Sequence, residues 1–185
     1  MTGQIWLTAA EGVSAESVRF WGKADVEKSA PAWDHVRMNR SQAIAAAEHF
    51  LATVWGDKPP KDEALLNALD RLVAAYHETP HGDLTDAEID APRQDGPSLY
   101  KQVAERFPAY GYYPVADPAK SFDDALMTAD AIDDLADLTL DMREVLWFAE
   151  HVSIDDAHFA FRLHHFHWGQ HARELAIFLC GRLWG

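Results

Sequence analysis

Between residues 161 and 178 the chain reads FRLHHFHWGQHARELAIF, with histidines at 164, 165, 167 and 171. Imidazoles at this density can ligate a divalent transition metal, act in acid–base chemistry, or pack as hydrogen-bonded members of a helix interface. On a helical wheel Phe161, His164, Trp168, His171 and Leu175 line one face, which makes His164 and His171 core-type positions. His167 lies at the edge of that stripe, and His165 falls on the other side beside Ala172. Residues three and four apart are neighbours on a helix surface, so His167 and His171 can project together. His164 and His171 are about 10 Å apart along the axis, too far to share one ion. A metal bound here takes at most two of these imidazoles, and a partner helix must supply the rest.

The preceding segment, ADAIDDLADLTLDMREVLW, offers such a partner. Asp130, Asp134, Asp137 and Asp141 flank an apolar stripe of Ala131, Leu135, Leu138, Met142, Val145 and Ala149. In an antiparallel hairpin this flank meets the edge of the histidine face. Carboxylates there would orient the rings and raise their pKa values. With an ion present, His167, His171, Asp134 and Asp137 would form a carboxylate–histidine metal site of the kind found in helix bundles. Without one, the pair His167 and His171 locks the last helix to the aspartate helix. This packing reading is preferred, with at least two of the four acids expected on a solvated flank.

The elements that must position these residues are mostly helical. Asn39 with Gln42 reads as a capping box for a first helix ending at Gly56. Pro59 and Pro60 open a second, with Asp62 and Glu63 in its first turn and Pro80 beyond its end. HGDLTDAEIDAPRQDGP reads as a long loop, SLYKQVAERF as a short helix, and PAYGYYPVADP as irregular chain across the bundle. Two long helices close the sequence, one from Ser121, with Asp124 as its capping partner, to about Glu150. The other runs from Ser153, capped with Asp156, to about Leu183. The short link between them implies an antiparallel hairpin. The fold class is thus mainly α, a helical bundle domain over 39–185. A short β-hairpin is expected in the extension 1–38, where IWLTAA and VRFWGKADV carry β-branched and aromatic residues.

Composition narrows the function classes. The net charge is -14, from 16 basic and 30 acidic residues, which argues against nucleic acid as a partner and suits a basic protein. Cys180 is the single cysteine, so no intrachain disulfide is expected and a reducing compartment fits. With no apolar run of membrane-spanning length, the expected setting is cytoplasmic, with no membrane partner. Of the tryptophans, Trp184 is expected to pack down or dock on a neighbour. No HExxH, GxSxG, P-loop or GxGxxG occurs. Arg162 and His167 match the spacing of the HEPN ribonucleases, which are also helical bundles, but they lie well apart on the wheel.

Two segments carry a resemblance. IDDLADLTLDMREVL and HWGQHARELAIFL, supported by YKQVAERFPAYGYYPVADP, resemble the bacterial family catalogued as domain of unknown function 5063. The likeness runs from about Asn39 to Leu183. It implies a helical, soluble, bacterial protein and brings no activity or cofactor. The family-like positions are Asp133, Asp134, Asp137, His167, Trp168, Gly169 and His171; His164 and His165 lie outside the motif. The chain departs from the pattern at LTLDMREVLWF, where a more basic, tyrosine-containing run would stand. The preferred functional reading is a non-enzymatic binding or regulatory bundle with an acidic surface. A divalent-metal-binding bundle comes second, and a ribonuclease-like bundle is the distant third.

Overall fold

The computed structural model describes residues 41–85, 89–117, 119–121, 123 and 126–185, all within the unit Arg40–Gly185. The expected N-terminal β-hairpin lies outside these residues. Six helices and one pair of strands are present among them: α1 Gln42–Trp55, α2 Asp62–Glu78, α3 Gly96–Arg106, β1 Tyr112–Val115, β2 Met127–Asp130, α4 Ala131–His151, α5 Ile154–Leu163 and α6 His165–Trp184. The fold is mainly α, as the periodicity implies.

Helix α4 is the hub, packing against α1, α3, α5 and α6, while α2 bridges α1 and α6. Its apolar stripe supplies Leu135, Leu138, Met142 and Val145 to a core shared with Phe50, Leu69, Leu72, Phe161, Trp168 and Leu175, all fully buried. Burying such side chains gives roughly 1.5–3 kcal/mol each, and this supplies the main drive for assembly. Polar seams fix the angles. The Trp55 indole donates to Thr139 Oγ1, and the Thr139 hydroxyl donates to the Leu135 carbonyl. Arg106 ties the end of α1 through the Val54 and Gly56 carbonyls. The long loop is pinned by Asp156, which accepts from the Thr85 amide and hydroxyl at 2.8 and 2.6 Å.

The structure corrects several boundaries. Helix α1 has Ser41 at its N-cap without a side-chain cap bond, so the expected Asn39 and Gln42 box does not start it. Helix α4 begins at Ala131 rather than near Ser121, because Asp130 Oδ1 accepts from the Ile132 amide and residues 127–130 are extended. Those residues pair antiparallel with 112–115, Tyr113 opposite Ala129 and Pro114 opposite Thr128. The segment PAYGYYPVADP is therefore partly a strand. A two-stranded ribbon has only edges, so Pro114 can sit in it. The start signal at Ser153 holds, its hydroxyl accepting from the Asp156 amide. Trp184 is 71% exposed and is not packed down.

The most consequential correction concerns the last helix, expected unbroken from Ser153 to Leu183. It is interrupted at His164, where φ is -80° and ψ 0°. In an unbroken helix the Phe161 carbonyl would take the amide of His165. Here it takes the indole N–H of Trp168 at 2.8 Å instead. A side chain inserted into the backbone ladder is a recognised cause of a helix break. Trp168 is thus both the largest fully buried side chain among the described residues and the group that satisfies the break.

Trp168→Ala should cost about 3–5 kcal/mol as a buried aromatic lost. Trp168→Phe keeps most of the ring but strips the donor, and should cost about 1–3 kcal/mol for the orphaned Phe161 carbonyl. Urea unfolding of the two variants checks both values; a neutral Trp168→Phe would show that the indole bond does not hold the break.

Candidate functional site

Two polar seams face each other beside the apolar contact of α4 with α5 and α6. On α4 the seam is Asp134, Asp137, Asp141 and Glu144, spaced three, four, three. On the other strand of the hairpin it is His164, His167 and His171, spaced three, four. Both follow the three–four alternation that keeps a helical seam turned towards its partner. Run antiparallel, they interleave into a ladder of alternating acids and imidazoles.

The shortest rungs are Asp134–His171 and Asp141–His167, and those at the His164 end are longer. His171 Nδ1 donates to Asp134 Oδ1 at 2.6 Å, and His167 Nδ1 donates to Asp141 Oδ2 at 2.9 Å. His164 Nδ1 lies 3.5 Å from Asp141 Oδ1, and its Nε2 lies 3.8 Å from Glu144 Oε1. Between these stands Asp137, whose Oδ2 is 3.4 Å from both His167 Nε2 and His171 Nε2. At the far end the Tyr113 hydroxyl donates to Asp134 Oδ2 at 2.5 Å. Asp134 is 2% and Asp141 8% exposed, so these two carboxylates sit inside the protein and are fully engaged.

A carboxylate only accepts, so the hydrogen bonds from His167 and His171 place a proton on each Nδ1. What remains on each ring is Nε2, and both point at the same oxygen. At 3.4 Å these approaches are too long for good hydrogen bonds. Two neutral nitrogen lone pairs facing a carboxylate repel it, so the triangle requires a positive charge. A second proton on each ring supplies one. His167 is accordingly pushed up to about 10 by Asp137 and by Asp141. His171 is also raised: burial works against its charged form, but the Asp134 bond and the charges of Asp134 and Asp137 prevail. His164 is raised by Asp141. In return Asp141 is lowered, burial being outweighed by its bonds to His164 and His167. Glu144, at the rim, is raised by burial.

A metal ion supplies the same charge. One ligand atom each from Asp137, His167 and His171 lie within 4.8 Å of one another. The set Asp134, Asp137, His167 and His171 is thus brought together, but unequally. Asp137 and the two Nε2 atoms converge, whereas Asp134 stands behind His171 on its Nδ1 side.

Other residues fall elsewhere. His164, expected as a core position, is half-buried in the ladder, because the helix break turns it towards Asp141 and Glu144. Neither Asp130 nor Asp141 is a solvated flank: Asp130 caps α4 and accepts from Tyr100 at 2.7 Å. Asp133 is exposed and outside the ladder, its pKa raised by partial burial and by Asp137. His165 stacks on Tyr76 with ring centres 3.5 Å apart, on the opposite side of α6. Arg162 donates to the carbonyls of Tyr76 and Thr79 and lies over the Tyr76 ring, closing the end of α2. It shares no contact with His167, so the ribonuclease spacing finds no common site here. Glu144 and Tyr113 were not legible as site residues. Glu144 continues the three–four spacing of the acids, and that is the signal that could have found it.

Without metal, the His167 rung should stabilise the fold with a defined pH window. Its folded pKa is raised, so its contribution is complete below about 6.5. It then fades as pH rises towards about 10. On the acid side the contribution of Asp141, whose folded pKa is lowered, fades as pH falls through that value. Metal-free wild type should exceed His167→Gln by about 1–2 kcal/mol near pH 5–6, allowing for solvent screening at a ring 42% exposed. Denaturant melts from pH 4 to pH 10 check this; a difference that grows with pH above 7 would contradict it.

No family model matches the chain, and no curated protein matches it. Among solved structures it is similar to the crystal structure of protein BF1032 from Bacteroides fragilis, a structural genomics target. The TM-score is 0.60 at 15% sequence identity, covering 78% of this chain and 91% of that one. At this identity the likeness shows a shared fold.

Proposed function

We propose that this bundle binds one divalent transition-metal ion between α4 and α6, on Asp137, His167 and His171. The observation that supports it is the convergence of two Nε2 atoms on Asp137 Oδ2, each at 3.4 Å, while both Nδ1 atoms are held by other carboxylates. Metal–nitrogen and metal–oxygen bonds of about 2.0–2.1 Å in tetrahedral geometry set ligand atoms about 3.3 Å apart, close to these separations. Asp134 and Asp141 fix the tautomer and raise the basicity of the rings, as carboxylates behind metal-bound histidines generally do. Mixed imidazole and carboxylate ligands suit zinc, and also manganese, iron or nickel.

Three protein ligands leave a position for water or for a partner's side chain. The half-exposed His167 marks the side on which it opens. The net charge of -14 favours cation capture and a basic protein partner over nucleic acid. We therefore read the protein as a metal-dependent binding or regulatory bundle. Its ligands Asp137, His167 and His171 are among the positions at which it resembles the domain of unknown function 5063, which we propose as its family.

Protein purified without a histidine tag should carry close to one equivalent of metal, or take it up from zinc or cobalt buffers. At ion concentrations about a hundredfold above Kd the fold gains about 2.7 kcal/mol, or roughly 5–10 °C in Tm, and chelation reverses the gain. Asp137→Asn and His171→Gln should each abolish the shift. Elemental analysis with thermal melts reads both. No ion at any loading, with no change in Tm on chelation, would leave the ladder as a purely protonic latch.

A further inference from the structure

On the side of α6 away from the ladder lies a solvent-open cavity of about 550 Å³, between that helix and the β1–β2 ribbon. This is within the size range of small-molecule sites. Its wall carries charges of both signs. Arg173 and His165 stand on one part, with Nη1 and Nε2 3.4 Å apart. Asp117 and Glu174 also line it, yet no ion pair joins Arg173 to either. Asp117 has a long contact with Lys120, and Glu174 accepts from Gln170. Phe166, 78% exposed, and Met127 give the cavity an apolar side.

Gly169 explains how the cationic corner is built. A Cβ there would meet the His165 ring at 2.7 Å and Arg173 Nη1 at 3.0 Å. Only glycine lets the imidazole, stacked on Tyr76, and the guanidinium close over the same turn of backbone. Arg173 Nη1 is anchored on the Gly169 carbonyl at 2.6 Å, a bond that leaves Nε and Nη2 for a planar acceptor.

We propose that this cavity binds a small zwitterion of the α-amino-acid type with an apolar side chain. Its carboxylate lies on Arg173, its ammonium faces Asp117 or Glu174, and its side chain rests on Phe166 and Met127. Opposite charges on the wall of one cavity that do not pair with each other suit a ligand carrying both complements. A plain anion would meet the two carboxylates, and a plain amine would meet Arg173. The site is separate from the proposed metal site and does not rest on it.

Calorimetric titration of the full chain with L-phenylalanine, 3-phenylpropionate and phenethylamine tests this. L-phenylalanine should bind saturably and each single-charge analogue about tenfold more weakly, since each forfeits one charge-assisted contact. Arg173→Gln should weaken L-phenylalanine binding about tenfold, whereas Lys101→Gln, on the exposed face of α3, should leave it unchanged. Gly169→Ala, with folding checked by circular dichroism, should weaken it by displacing the corner. Equal binding of 3-phenylpropionate, no saturable binding of L-phenylalanine, or undiminished affinity in Arg173→Gln would each overturn the proposal.

Discussion

The pairing of Asp134 with His171 and of Asp141 with His167 is the constraint on which the arrangement of the last three helices depends. Both acids are buried, and a buried carboxylate without its partner is costly, on the order of 3–5 kcal/mol when one member is removed. Against a well-packed apolar alternative such pairs add little net stability. Their effect is to select a register. Sliding α6 along α4 by one turn, about 5.4 Å, would carry each imidazole towards the wrong carboxylate and strand an acid at one end. The apolar stripe alone tolerates such slips far better, because Leu, Met and Val contacts are interchangeable in kind.

Register then propagates beyond the ladder. Helix α6 overruns the start of α4, and its last turns meet other elements. Phe178 stacks on Tyr113 with ring centres 4.8 Å apart, and Tyr113 returns to the ladder through Asp134. Arg182 reaches Asp62 in the first turn of α2 at 2.7 Å, and the same carboxylate accepts from Tyr110. The strand that positions Tyr113 is held by the residues that lead into α4. The ribbon, though small, thus ties the acid seam to the far end of the histidine helix.

Much of this was legible in the sequence, and the failures share a cause. The wheel placed Trp168 in the core and put His167 beside His171, because both follow from the helical period alone. The aspartate flank was legible for the same reason. What escaped depends on contacts between distant residues. The break at His164 is made by an indole seven residues from the carbonyl that it satisfies, and no local propensity encodes that. The strand at 127–130 exists because 112–115 is there to pair with it. The spacing of Ser121 to Asp124 imitates the capping box of a helix start, but Asp130 makes the cap bond. The axial distance that keeps His164 and His171 from sharing one ion still holds. The sequence did not show that three imidazoles could be shared among four acids.

The ladder and the cavity are carried by the same turn of α6, on opposite sides of it. His167 and His171 face α4, and between them Gly169 supports His165 and Arg173. The pattern HWGQH therefore has a reason at each fixed position. The histidines need four-residue spacing to meet one carboxylate oxygen, the tryptophan must reach back to the broken carbonyl, and the glycine must lack a Cβ. The positive charge demanded by the Asp137 triangle can come from protons or from a metal, and both compete for the same Nε2 atoms. Either occupant would sit between the rings and Asp137, and the backbone that carries the rings is the floor under Arg173. The two faces share one turn of backbone, so HWGQH must satisfy the ladder and the cationic corner together.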